Sequence, residues 1–330
     1  MVVFPFPQFK QYVHSLKSLP DYRSGHFQIT RFPNQELYVK IFTSVAHKDC
    51  LIIGSITPPD EQLISFLFLA HTLKKELASK ITVLLPYLAY ARQDKIKKGE
   101  SLATSTVGEI FRASHIDEVV TIDVHSQKAE SLFPLPIHNL SPAKLFGKEI
   151  NKFVTNVIKK IKLKNLTFVS PDEGAVERTQ KVMKELGVTA DITYMKKERM
   201  ATGVSSVLHG RVSQNVVIID DILDTGGTLL ACCKNLKSSG AKNIYIFVTH
   251  GLFTGNRWPR LFDLNVRKIY CTDSIPGVSD IGSKNLKILS IKPLLKSFAH
   301  QVRKIHEEAE KAMKRIEKRE QDFFLGEEAG

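Results

Sequence analysis

Short, nearly continuous apolar runs recur along the chain, and longer stretches with helical spacing separate them. Leu51-Ile52-Ile53, Ile81-Thr82-Val83-Leu84-Leu85, Val119-Val120-Thr121-Ile122, Leu166-Thr167-Phe168-Val169, Val216-Val217-Ile218-Ile219 and Ile244-Tyr245-Ile246-Phe247-Val248 read as strands. Runs of this length without polar alternation suit strands covered on both faces, as in parallel sheets. Helical periodicity fills the intervals, for example 61–77 and 228–238. The alternation predicts an α/β fold with doubly wound, parallel central sheets. VVTIDVHS at 119–126 and VVIIDDIL at 216–223 each run an apolar strand into an acidic residue, about one domain apart. That echo predicts two similar halves. Their boundary is expected near 141–150, where Ser141-Pro142 opens a helix, giving units of 1–145 and 146–290.

The last segment, 291–330, has a different pattern. Leu295, Phe298, Val302, Ile305, Ala309, Ala312 and Ile316 follow alternating steps of three and four. One long helix with an apolar stripe is expected, packing back on the N-terminal half. Its turns past Glu310 are candidates for contact with a partner subunit.

Composition narrows the functional class. With 330 residues, 43% of them hydrophobic, the chain is long enough for two ordinary cores. The start MVVFPFPQFKQYV lacks the basic and apolar regions of a secretion signal, and the longest apolar runs are too short to span a bilayer. A cytoplasmic protein without membrane partners is expected. Cys50, Cys232, Cys233 and Cys271 form no C-x-x-C pair and lack His at zinc spacing, so reduced, mostly buried thiols are expected. The net charge of +13 accompanies no zinc-finger, RNP-like or recognition-helix pattern. Nucleic acid is therefore not an expected partner, whereas anionic small substrates are.

The strongest chemical signal is VVIIDDILDTGGT at 216–228. A buried strand runs into two carboxylates, Asp220 and Asp221, and a turn of small residues, Asp224-Thr225-Gly226-Gly227-Thr228, opens a helix. Glycines allow a sharp turn and close backbone approach, while amides and hydroxyls at a helix N-terminus favour a phosphate. Carboxylates repel a phosphate but accept hydrogen bonds from sugar hydroxyls. A phosphorylated sugar satisfies both halves of the motif.

This stretch resembles the signature of type I phosphoribosyltransferases and of their relatives, the ribose-phosphate pyrophosphokinases. The remainder of the chain is similar to the second group. Arg31-Phe32-Pro33-Asn34-Gln35-Glu36-Leu37 resembles their adenine-contacting loop, and Tyr90-Ala91-Arg92-Gln93-Asp94-Lys95 their ATP-binding segment. Ile122-Asp123-Val124-His125 matches a strand ending in a metal-associated histidine. Ser170-Pro171-Asp172-Glu173-Gly174-Ala175 resembles their pyrophosphate loop, and Lys197-Glu198-Arg199 the start of their mobile catalytic loop. Thr249-His250-Gly251-Leu252-Phe253 and Ser290-Ile291-Lys292-Pro293-Leu294-Leu295 also have counterparts. The likeness runs in order from about residue 25 to 308.

The resemblance implies two domains of the phosphoribosyltransferase kind and transfer of pyrophosphate from MgATP to the anomeric hydroxyl of ribose 5-phosphate. It implies that Phe32, Asn34, Glu36, Arg92, Gln93 and Asp94 bind ATP. Asp220, Asp221, Asp224, Thr225, Gly226, Gly227 and Thr228 would bind ribose 5-phosphate, and Asp172, Glu173, Gly174 and Ala175 the pyrophosphate. Lys197, Arg199 and His125 are the expected catalytic residues, with His125 and Asp172 near Mg²⁺. A homo-oligomer that shares its ATP site between subunits is implied too. A phosphoribosyltransferase would explain 216–228 but not FPNQE, ARQDK or the doubled length. A catalytically silent homologue usually carries changes around the catalytic loop, whereas His125, Asp172, Lys197 and Arg199 are intact. Two departures stand out: Glu173 within an anion-binding loop, and Ser126 to Glu130 after the histidine. Glu173 is expected to point away while the loop amides bind.

Overall fold

A computed structural model describes residues 1–156, 166–200 and 203–327, and within these ranges it leaves the side chains at 153, 155–156, 197–200, 203–205 and 314–327 undescribed. The first half opens with β1 (Val2–Pro5) and β2 (Arg23–Ser24), followed by a two-stranded hairpin of β3 (Phe27–Arg31) and β4 (Leu37–Ile41). Then come β5 (Asp49–Ile53), α1 (Glu61–Lys75), β6 (Lys80–Leu85), α2 (Ala103–Ala113), β7 (Glu118–Ile122), α3 (Gln127–Leu132) and β8 (Ile137–Leu140). The strands form a parallel sheet in the order β2-β1-β5-β6-β7-β8, and the β3–β4 hairpin stands apart.

The second half runs through α4 (Ala143–Asn156), β9 (Thr167–Ser170), α5 (Val176–Glu185), β10 (Thr193–Met200), β11 (Gly203–His209) and β12 (Asn215–Leu223). It continues with α6 (Gly227–Ser238), β13 (Asn243–Gly251), β14 (Val266–Thr272), β15 (Leu286–Leu289) and α7 (Lys292–Glu327). Sheet order is β11-β10-β9-β12-β13-β14-β15, parallel except where β10 and β11 pair. Val216 to Ile219 and Ile244, Ile246 to Val248 are fully buried because helices cover both faces of this sheet.

Six parallel strands of each sheet follow one order, with β11 an extra antiparallel edge strand in the second. From its place in the sheet order, β12 corresponds to β5, and β7 corresponds to β14. Gly54 and Ser55 therefore stand after β5 where β12 carries Asp220 and Asp221. The two strands of the VVTIDVHS and VVIIDDIL stretches thus occupy different places in their sheets. A second expectation also changes. The resemblance implies that Lys197-Glu198-Arg199 opens a loop, yet Lys196 to Met200 lie in β10, paired antiparallel with β11.

The stripe on α7 is packed only at its start. Ile291, Leu295, Phe298 and Ala299 are buried in the first core, with Leu294 and Val302 partly so, whereas Ile305 is 67% exposed and Ala309 is exposed. Leu295→Ala is expected to cost about 2–5 kcal/mol by leaving a cavity, and Ile305→Ala less than about 0.5 kcal/mol. Urea unfolding of the two variants checks this difference. No described helix is long and apolar enough to cross a membrane.

Candidate active site

The C-terminal ends of the two parallel sheets meet. His250, at the end of β13, sits 2% exposed between the halves, with Nε2 3.0 Å from the Ile122 carbonyl and Nδ1 2.8 Å from the Ser274 hydroxyl. Its ring lies 4.7 Å from that of Tyr87. Burial depresses its basicity, so the neutral ring donates through Nε2 to the carbonyl. This joint brings the loop after β7 against the end of β12.

At the contact, His125 Nδ1 lies 2.7 Å from Asp221 Oδ2. Asp220 and Asp221 are 6% and 5% exposed, and β12 continues four residues beyond Ile219, where the apolar run stops. The pattern missed this extension because carboxylates are poor strand formers, yet Asp220 still pairs with Val248 and Ile222 with His250. Burial raises Asp220 well above the usual carboxylate range, and the neighbouring Asp221 charge adds to it. Burial acts the same way on Asp221, but the hydrogen bond from His125 and the Arg178 charge outweigh it and hold that carboxyl well below the range. The Asp221 hydrogen bond raises His125, against burial. One carboxyl of the pair is thus ionised and its neighbour is driven toward the neutral acid.

The pH consequence has a defined sign. A histidine raised by its partner stabilises the fold below its ordinary value of 6.5 and loses that contribution as pH rises. A depressed carboxylate stabilises above its ordinary 3.8 and loses the contribution as pH falls. The pair therefore contributes most between those values. In thermal unfolding of the ligand-free protein, His125→Ala is expected to cost more at about pH 5.5 than at about pH 9. Equal costs would remove the charge from this interaction.

Asp224 follows β12 and takes a 2.8 Å hydrogen bond from Arg92 Nη1. The Arg92 of the ATP-like segment and the turn of the sugar-like motif are thus in contact within one chain. Gly226 caps α6 with φ +84°, and a Cβ there would lie 3.1 Å from the Trp258 backbone. Glycine is required at this position for both reasons. First-turn amides of α6 at Gly227 and Thr228 have no intrahelical acceptor and remain available to an anion.

The other predicted residues divide. Asp172 Oδ1 accepts from the Ala175 amide at 3.0 Å and shapes the turn that opens α5. The Glu173 side chain is exposed and lies 4.0 Å from Lys196 Nζ. Asp94 is 4% exposed and accepts from the Ser126 hydroxyl, which also caps α3 by accepting from Ala129 N at 2.9 Å. Asp94 thus supports the histidine loop. Gln93 Oε1 accepts from Ser101 Oγ at 2.8 Å. Phe32, 48% exposed, lies in the hairpin turn, where Asn34 Oδ1 accepts from the Glu36 amide at 3.2 Å. No described contact joins this tip to residues 220–228. It is linked instead to the N-terminus of α1, where Arg31 pairs with Glu61 at 2.6 Å and the adjacent Asp60 accepts from Tyr90. Lys197 pairs with Ser206 and Arg199 with Val204 in the β10–β11 ladder, and their side chains lie outside the described residues. Among the described residues no group of three His, Cys, Asp or Glu side chains is placed to hold a metal.

Arg178 was missed. It lies in the first turn of α5 and is nine-tenths buried against Asp123 and Asp221. In the sequence it reads as an ordinary charge on a helix with Glu177 and Lys181.

Comparisons with known proteins cover both halves of the chain. The family described as the N-terminal domain of ribose phosphate pyrophosphokinase matches residues 1–114, and the phosphoribosyl transferase domain family matches 137–268. A ribose-phosphate pyrophosphokinase from Campylobacter jejuni is 33% identical over 304 residues, covering 91% of this chain and 93% of the relative. The chain belongs to the ribose-phosphate pyrophosphokinase family. The namesake from Pasteurella multocida is 31% identical over 86% of this chain and 89% of its own length. Phosphoribosylpyrophosphate synthetase from Mycobacterium smegmatis superposes with a TM-score of 0.78 at 28% identity, covering 93% of this chain and 99% of that one. Membership in this enzyme family accounts for both halves and for the length, which a phosphoribosyltransferase alone does not.

Proposed function

We propose that the chain transfers the β,γ-pyrophosphoryl group of MgATP to the C1 hydroxyl of ribose 5-phosphate, giving 5-phosphoribosyl 1-pyrophosphate and AMP. The observation that carries this reading is the meeting of ATP-like and sugar-like segments in one cleft, through Arg92–Asp224 and His125–Asp221. The 5-phosphate rests on the amides and hydroxyls of Thr225 to Thr228, and Asp220 and Asp221 receive the ribose hydroxyls. The C1 oxygen bonds to the β-phosphorus as the bond from that phosphorus to the bridging oxygen of AMP breaks, and the hydroxyl proton is released. Such a step gains most from positioning and from cations on the phosphoryl oxygens. Arg92, Lys197 and Arg199 supply those cations, and the loop from Asp172 to Ala175 receives the moving group.

Mg²⁺ fits the residues present. It takes one or two protein carboxylates and completes its shell with phosphates and water. Asp172 keeps one carboxylate oxygen outside its cap, and His125 Nδ1 is committed to Asp221, which leaves Nε2 for the cleft side. The bound ion would screen the phosphoryl charge, and these two residues would hold it. The exposed FPNQE turn supports a homo-oligomer in which a second copy completes the nucleotide site.

Incubating the protein with ribose 5-phosphate, ATP and Mg²⁺ tests the reading. AMP should accumulate, and chelation of Mg²⁺ should stop it. ADP instead of AMP would indicate single-phosphoryl transfer and overturn the proposal, as would an absence of turnover.

A further inference from the structure

We infer that Arg178 is a positioning residue, whose guanidinium fixes Asp123 and Asp221 together and so holds His125 and the sugar-binding carboxylate in working register. The inference rests on the reading of the cleft given above. Arg178 Nε lies 2.8 and 2.9 Å from the two oxygens of Asp123, and Nη1 lies 3.8 Å from Asp221 Oδ1. Both Arg178 and Asp123 side chains are 11% exposed. Asp123 also accepts from the Thr249 hydroxyl, and its backbone amide donates to the Leu140 carbonyl at 3.0 Å. Its φ of +52° is uncommon for a residue with a Cβ and is held by these contacts.

His125 stands two residues beyond Asp123, so a shift of Asp123 moves the imidazole directly. The same guanidinium faces Asp221, whose other oxygen bonds that imidazole. Arg178 belongs to the helix that follows the Asp172–Ala175 loop, so its side chain joins that helix to the end of β7 and to β12, and Asp123 carries the link on to Thr249 of β13. A rigid planar guanidinium holds its donors toward both carboxylates in one fixed geometry, which the flexible point charge of a lysine ammonium does not reproduce. Three carboxyls lie around this guanidinium: Asp123, Asp221 and Asp220. Removing the cation leaves Asp123 and Asp221 without their shared partner.

Arg178→Ala, Arg178→Lys, Asp123→Asn and the Arg178→Lys/Asp123→Asn double variant of the full chain test the role. With ATP, ribose 5-phosphate and Mg²⁺, each single substitution is expected to lower kcat by about 10²-fold while KM for ATP stays within about threefold. The double variant should be no worse than about threefold below the weaker single, because both break one unit. Guanidinium at about 50 mM should restore Arg178→Ala at least about tenfold. Turnover of Arg178→Ala near the wild-type rate, or losses that multiply in the double variant, would overturn the assignment. If Arg178→Ala does not fold, Arg178→Lys and the double variant decide.

A second readout needs no turnover. In the ligand-free wild type the Nδ1 proton of His125, held against Asp221, should give a slowly exchanging downfield resonance that is lost in Arg178→Lys. Its persistence there would remove the positioning role. A wild-type chain that makes no AMP overturns the proposed reaction, and this resonance still decides the role of Arg178.

Discussion

Lys197→Ala is expected to lower kcat by about 10²–10³-fold, with the Kd for ribose 5-phosphate changed by less than about threefold. A preorganised cation acts on charge that develops in the transition state, so its loss is felt in turnover more than in ground-state binding. Lys197 stands on β10, which lies beside β9, and β9 leads into the Asp172–Ala175 loop. The β10–β11 pair is joined to the sheet by only two residues of register, Thr193 and Tyr194 against Val169 and Ser170. Past that point β10 pairs with β11 alone, at the sheet edge. An edge pair of this kind suits a group that approaches bound substrate from one side. Stopped-flow or steady-state turnover together with calorimetric binding separates the two effects. Near-normal kcat would take Lys197 out of the chemistry.

The second large effect is an asymmetry between neighbours. Asp221→Asn should lower kcat/KM for ribose 5-phosphate by about 10²–10³-fold, whereas Asp220→Asn should cost less than about tenfold. Asp221 is ionised through His125 and Arg178, and an amide cannot replace its negative charge. Asp220 is driven toward the neutral acid by burial and by Asp221 itself, and an amide mimics that form. The Asp221 amide donates to Asp220 Oδ1 at 2.9 Å, a bond that the carbonyl oxygen of an asparagine can also accept. Equal losses, or a larger loss at Asp220, would reverse the assignment of charge.

The strands were legible because both faces of each sheet are covered, which forces runs such as Val216 to Ile219 to be apolar throughout. The turn at Gly226 was legible because its backbone geometry excludes other residues. Lys196 to Met200 were not legible as strand, since an edge hairpin with one partner tolerates polar side chains on both faces. The echo between the two halves marked their likeness without pairing the matching strands. Asp123 follows β7 whereas Asp220 and Asp221 lie within β12, and β5, which holds the place of β12 in the first sheet, runs into Gly54 and Ser55 instead. The apolar stripe of α7 correctly marked a packed helix as far as Val302, but periodicity carries no information about where the underlying core stops. Arg178 was hidden because a buried ion pair is made by distant segments: its partners lie 55 and 43 residues away in the chain. Family resemblance supplied the segments of the site. Only the fold showed that Arg92 reaches Asp224 and that His125 reaches Asp221.

Binding of ribose 5-phosphate to crystals of the full chain tests the central claim most directly. The account predicts the phosphate against the amides of residues 225–228, with ribose hydroxyls toward Asp220 and Asp221 and C1 toward the His125 side of the cleft. A sugar phosphate bound elsewhere, with that turn left empty at saturating ligand, would contradict it.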